Sequence, residues 1–128
     1  MCIRDSYGPF LQRAMSEFER DEEVTFAPYL TGDRQSMEKK SGAWYGLTLG
    51  TTREEMVAAL LKSMNRVLNM TIREAETVVG LRSVIKLTGG MTSATFVHLK
   101  EREIPGFTFE VVDNCAIIGG VALAQRYQ

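Results

Sequence analysis

The sequence predicts an α/β fold, a mixed sheet with flanking helices, on three observations. From Trp44 onward, strand-like and helix-like segments alternate as β-α-β-α-β-α. The longest helical segment opens on a Thr52/Glu55 pair, and an apolar strand ends abruptly at Gly89-Gly90. Alternation of this kind implies a sheet with parallel members and helices packed across it. Ligands in such sheets bind beyond the carboxyl ends of the strands. Gly89-Gly90 and the residues around Asp113 therefore become the places to look for a site.

Bulk properties narrow the class. The chain has 128 residues, 45% hydrophobic and 24% charged, and a formal net charge of −1. That is ordinary globular composition for one domain, with no repeat or low-complexity tract. Acidic and basic residues are interspersed, so no basic stripe tracks a phosphate backbone and nucleic acid is not an expected partner. The longest apolar stretch, Ala116 to Ala124, falls far short of the roughly 20 residues that cross a bilayer. Two cysteines and one histidine supply neither a zinc-ligand set nor a disulfide framework, so no metal site is expected and a reducing, cytoplasmic setting is the simplest reading.

Taken in order, "MCIRDS" has the layout of neither a secretory signal nor a transit peptide. Read in frame, ATG-TGT-ATA-AGA-GAC-AG gives Met-Cys-Ile-Arg-Asp and then Ser or Arg, and that DNA resembles the transposon end used as a sequencing-library adapter. Residues 1–6 are accordingly expected to be a non-native translation and residues 7–128 the protein itself. Pro9 sits where a helix begins, and Phe10, Leu11, Ala14, Met15 and Phe18 recur at three- and four-residue steps. Val24–Ala27 reads as a strand stopped by Pro28, and Thr31–Gly42 as an exposed, charged loop. Within Gly42–Gly50 a second strand turns Trp44 or Tyr45 to the core.

Thr52 and Glu55 have the spacing of a capping box, in which hydroxyl and carboxylate each satisfy an amide that the first turn leaves unpaired. Met56, Leu60, Met64 and Val67 follow as a core stripe. The helix either continues to Val79 or breaks near Asn69, because Thr71 and Glu74 repeat the box spacing; Gly80 ends it in both cases. Then come a strand over Ser83–Thr88, a helix over Thr92–Glu103 closed by Pro105-Gly106, a strand over Phe107–Val112 and a last helix over Ala116–Tyr127. His98 is expected on the surface, and Cys115 as a small buried hydrophobe rather than a nucleophile.

Two glycines at a strand end are the cheapest way to turn a chain sharply. They also let a nucleotide approach the main chain, and the amides of a following helix start favour negative charge. "GAWYGLTLGTTREEMVAALLKS" adds to that second reading. It resembles the second signature of the FGGY family of carbohydrate kinases: a small residue, an aromatic, Gly-Leu, a spacer of about seven residues, then polar, apolar and Ala positions. Gly42, Trp44, Gly46, Leu47, Glu55, Met56 and Ala59 fall into step, while Leu60 and Lys62 depart. "FAPYLTGDR" is similar to the family's Phe-x-Pro-Tyr-Leu-x-Gly-Glu-Arg, "KLTGG" to its adenosine-motif glycines, "IIGGVALA" to its closing helix, and "GPFLQ" to the Gly-x-x-x-Gln with which some members face ATP.

The resemblance implies the second, ATP-binding lobe of an actin/hexokinase-like (ribonuclease H-like) fold, with the lobe's first strands missing. It implies ATP with Mg2+, and transfer of the γ-phosphoryl to a sugar or polyol hydroxyl. Gly89, Gly90 and Ser93 would border the nucleotide, Ala94 taking Ser93's place if the alignment slips by one; Gly8 and Gln12 would face it from elsewhere. Asp33 and Arg34 are candidates to reach the cleft. The helix "ATFVHLKERE" lacks the family's Gln and Ala-Asp pair. No catalytic residue is expected in this chain, since the base, most sugar contacts and a phosphate-binding segment would lie on the first lobe. The resemblance also allows a homodimer of the full-length enzyme. The isolated chain is expected to be inactive and, with a strand edge uncovered, prone to aggregate. Two other readings stay open: a non-catalytic α/β binding or assembly module, whose glycine pair would pack against its own helices, and an actin-like ATPase relative.

Overall fold

The computed structural model describes residues 3–20, 23–33 and 36–127, with side chains from residue 8 onward. Met1, Cys2, Arg34 and Gln128 lie outside the described residues. The chain divides into two compact units, Met1–Leu68 and Asn69–Gln128.

In the first unit, helix α1 spans Ile3–Ser16. Pro9 lies inside it rather than at its start, a departure from the expected boundary. Its ring removes only one main-chain donor, and the backbone stays helical on both sides. Leu11, Ala14 and Phe18 are buried, as the three- and four-residue spacing predicts. Phe10 sits under the guanidinium groups of both Arg13 and Arg53, each 5.9 Å from the ring centroid. Arg13 also pairs with Glu54 at 3.3 Å.

Strands β1 (Thr25–Ala27) and β2 (Ala43–Tyr45) pair antiparallel, with Phe26 opposite Trp44. Their rings are 4.3 Å apart at the centroids, and Val24, Phe26 and Ala59 form a buried cluster packed by Trp44 and Leu60. Trp44 is therefore the core-facing aromatic; Tyr45 is 61% exposed. Gly46 closes this corner with φ +77, its Cα so near Glu23 that an added Cβ would lie 2.0 Å from that carbonyl oxygen.

Helix α2 runs unbroken over Arg53–Val78, which resolves the choice at Asn69 in favour of continuation. Its start is the predicted capping box: the Thr52 amide donates to Glu55 Oε2 at 2.6 Å and the Glu55 amide to Thr52 Oγ1 at 3.2 Å. Thr71 and Glu74 do not cap anything, because the helix already supplies their main-chain partners. The predicted core stripe needs correction. Met64 and Val67 are exposed. Buried on this helix are Ala58, Ala59, Leu61, Ser63, Asn65 and Ile72, two of them polar.

In the second unit, β3 (Val84–Leu87) and β4 (Thr108–Val111) pair parallel, Val84 opposite Thr108. Helix α3 (Ala94–Glu103) makes the crossover that a parallel pair requires. Phe96, Leu99, Ile104, Phe107 and Phe109 are buried around it. Arg73 is placed against the same corner, donating to the Pro105 carbonyl at 2.6 Å with its guanidinium 5.3 Å from the Phe107 ring centroid. Helix α4 spans Cys115–Arg126 with no buried residue. The α/β class and the element order from Trp44 hold. The strands, however, divide among the described residues into two small sheets, because β2 takes β1 as its partner instead of joining β3 and β4. No described helix is long and apolar enough to cross a membrane.

Candidate functional site

Gly89, Gly90 and Ser93 come together in the second unit, in one turn between β3 and α3. Gly89 has φ +93 and Met91 φ 56, so two left-handed residues flank Gly90. The first of these is a conformation that glycine adopts freely and the second is uncommon for a side-chain-bearing residue. Thr92 Oγ1 donates to the Gly89 carbonyl at 3.0 Å and closes the turn. A Cβ built on either glycine meets nothing within 4 Å, and both glycines are exposed. Within this unit the main chain here is bare and open, not packed against the unit's own helices.

Ser93 is the N-cap of α3, yet its side chain makes no capping hydrogen bond. The first-turn amides are thus left without the side-chain acceptor that usually satisfies one of them. Open glycines beside uncapped amides provide close approach and hydrogen-bond donors for an anionic group, which is the chemistry a nucleotide phosphate requires. Ala94, the alternative to Ser93, is the first residue of the helix and offers only its amide.

Gly8 and Gln12 lie one helical turn apart on α1, both exposed, in the first unit. They form a pair of their own, on a different unit from the Gly89–Ser93 turn. Asp33 is engaged inside its loop: Oδ2 accepts from Lys40 Nζ at 2.6 Å and from Ser36 Oγ at 2.8 Å. Donating to Asp33 raises the pKa of the Lys40 ammonium above its ordinary 10.5. Asp33 thus fixes the loop conformation. His98 is exposed as expected. Cys115 is half-buried rather than buried, its thiol donating to the Val112 carbonyl at 3.3 Å.

A cleft of about 320 Å³ lies elsewhere, in the first unit between Glu17, Arg20, Glu23, Val24 and the α2 residues Glu55, Ala58, Ala59 and Lys62. Four of its charged groups are already committed. Arg20 pairs with Glu17 at 2.9 Å, Lys62 donates to the Arg20 carbonyl at 3.3 Å, and Glu55 caps α2. Hydrogen bonds from the Thr52 amide and hydroxyl hold the Glu55 carboxyl below its usual range. Among the described residues no three His, Cys, Asp or Glu side chains are placed to hold a metal ion.

One residue of the turn escaped the sequence reading. Lys100, on α3, is only 9% exposed and donates to the Met91 carbonyl at 3.4 Å. Its spacing from buried Phe96 was the available signal, since residues four apart share a helix face.

No family model and no curated protein matches the sequence. Among solved structures, the crystal structure of xylulose kinase from Rhodospirillum rubrum matches with a TM-score of 0.69 and 18% sequence identity, over 93% of this chain and 26% of that one. The fold is similar to part of a sugar kinase. At that identity the likeness concerns the fold alone, and this chain spans about a quarter of the length of the kinase it matches. The match places the α/β arrangement of this chain, its two small sheets included, with a partial actin/hexokinase-like fold.

Proposed function

We propose that this chain is the nucleotide-facing part of an ATP-dependent carbohydrate kinase of the FGGY type. The observation that carries the reading is the open main chain at Gly89-Gly90 beside the uncapped start of α3. The sequence motifs at Gly42–Ser63 and Phe26–Arg34, and the fold likeness to a xylulose kinase, support it from separate directions.

In this proposal the bare turn takes the phosphate and adenosine side of ATP. Gly90 permits close approach, while the amides at the head of α3 donate to phosphate oxygens. ATP with its Mg2+ supplies the phosphoryl group that passes to a sugar or polyol hydroxyl, a reaction in which positioning and charge stabilisation do most of the catalytic work. Gly89, Gly90 and Ser93 serve to orient the nucleotide. The base and the sugar contacts belong to parts of the enzyme beyond this chain, so the chain alone transfers nothing. Gly8 and Gln12 are proposed as a second contact to the nucleotide, by the resemblance of "GPFLQ" alone.

Hydrogen exchange with and without Mg-ATP tests the proposal. Nucleotide should slow exchange across the turn and the first turn of α3 and leave α1 outside the Gly8–Gln12 segment unchanged. Exchange that ATP leaves untouched at Gly89–Phe96, in a chain whose β3 and β4 amides are protected, would remove the nucleotide reading.

A further inference from the structure

A buried lysine without an acid beside it is expensive, because the ammonium loses its hydration and gains no countercharge. Lys100 is such a residue. It is only 9% exposed, its Nζ lies 5.7 Å from the Phe96 ring centroid, and burial alone pulls its pKa below the ordinary 10.5. The carboxylate next to it in sequence, Glu101, is used elsewhere, accepting from the Phe109 amide at 3.1 Å. Among the described residues the one hydrogen bond of the Lys100 ammonium is to the Met91 carbonyl at 3.4 Å. A charge kept under these conditions needs a reason, and the turn it touches supplies one.

Every peptide bond described is trans. Across a planar trans peptide, N–H and C=O point in opposite directions. With the Met91 carbonyl drawn to Lys100, the Thr92 N–H on the same peptide faces away from it. The Gly89 carbonyl is held in the same manner by Thr92 Oγ1, which turns the Gly90 N–H the opposite way. Neither N–H has a partner among the described residues. Met91 meanwhile stays left-handed at φ 56, a conformation that a methionine leaves readily unless its surroundings hold it.

We propose that Lys100 is the positioning residue of this turn: its buried ammonium draws the Met91 carbonyl inward and so presents the Thr92 N–H outward to a phosphate oxygen. The phosphate half of this statement rests on the nucleotide reading above, whereas the clamp on Met91 does not.

Lys100→Met keeps the aliphatic stem and removes the donor, and Lys100→Arg keeps a charged donor. Two readouts apply to the whole chain: amide NMR shifts and N–H/Hα couplings over residues 90–93, with hydrogen exchange in β3 and β4 as the control for folding, and the Kd for Mg-ATP by calorimetry. Lys100→Met should move the Met91 coupling away from its left-handed value and leave exchange in β3 and β4 unchanged. It should weaken Mg-ATP about tenfold, the factor that losing one hydrogen bond to a charged group produces, with Lys100→Arg within about threefold of the parent in affinity and parent-like in its couplings. An unchanged Met91 coupling would overturn the proposal, as would faster exchange in β3 and β4, which would make Lys100 a plain support of the fold. An arginine variant as impaired as the methionine one would overturn it as well. If the Met91 coupling moves as described but the parent chain binds no Mg-ATP, the clamp stands and the nucleotide reading falls.

Discussion

Gly46→Ala is the most demanding test of the first unit, because two independent penalties meet at one atom. Gly46 has φ +77, and its missing Cβ would stand 2.0 Å from the Glu23 carbonyl oxygen and 3.2 Å from its carbon. A left-handed alanine costs about 1–2 kcal/mol by itself. The overlap is with main chain rather than a flexible side chain, so relief requires β1 to move away from β2 and part the Phe26–Trp44 contact. Together these place the loss at about 3 kcal/mol or more, against the roughly 5–15 kcal/mol that holds a typical domain together. Trp44 is the single tryptophan, half-buried against Phe26 with its indole N–H directed at the Met56 carbonyl at 3.4 Å. Its fluorescence in a urea titration therefore reports on this unit. With an m-value of about 1 kcal/mol/M for so small a unit, the midpoint should fall by about 3 M, or the folded baseline should vanish. Gly50→Ala is the control within the same unit: its φ is ordinary and a Cβ there meets only Thr48 Oγ1, at 3.7 Å. A Gly46→Ala midpoint within about 0.3 M of the control would refute the reasoning.

Four further outcomes are expected. Thr52→Ala removes the hydroxyl that caps α2 and should cost about 1 kcal/mol, read as a lower helix signal at 222 nm in partial denaturant. Glu54 and Glu55 are held below their ordinary 4.5, Glu54 first by its own main-chain amide and Glu55 first by that of Thr52; their contribution is complete above pH 4.5 and lost as pH falls through the lower folded values, so an acid titration followed by circular dichroism should show α2 weakening only below that point. Asn65 is buried at 4% exposure with its Nδ2 unpartnered, so Asn65→Leu should stabilise the first unit by about 1 kcal/mol in the Trp44 titration; a fall in midpoint would contradict this. Ile117, Ile118, Val121 and Leu123 are each more than half exposed on α4, so the chain should bind an apolar dye, and Ile118→Lys should reduce that binding without changing exchange in β3 and β4.

Local chemistry was legible in the sequence wherever one short segment decides the outcome. The Thr52/Glu55 box is such a case, since both partners lie within a single turn and no distant residue competes. The order of elements from Trp44 was legible for a similar reason, each strand and helix carrying its own periodicity between turn residues. Which strands share a sheet is a property of distant partners, and there the expectation of one sheet gave way to two. The Met56–Val67 stripe held at Met56 and Leu60 but failed at Met64 and Val67, because hydropathy counts Asn65 and Ser63 as outward-facing, whereas both are buried and the methionine at 64 is not. Lys100 was missed on the same ground: a lysine reads as solvated until its helix face is checked against Phe96. Gly42 and Gly46, which carry much of the kinase-like signature, turn out to have packing reasons. A Cβ at Gly42 would meet Leu30 Cδ2 at 2.6 Å, so part of that motif records how β2 is seated rather than what the chain binds.

Gly90 provides the most direct test of the central claim, since its φ is ordinary and a side chain there enters open space. Gly90→Val should leave exchange in β3 and β4 unchanged while intruding on whatever lies against the turn. Calorimetric titration with Mg-ATP should show binding by the parent chain and at least about tenfold weaker binding by the variant, the factor that about 1.4 kcal/mol of steric loss produces. Equal affinity in the two chains, or no binding by a parent chain with protected β3 and β4 amides, would contradict the account.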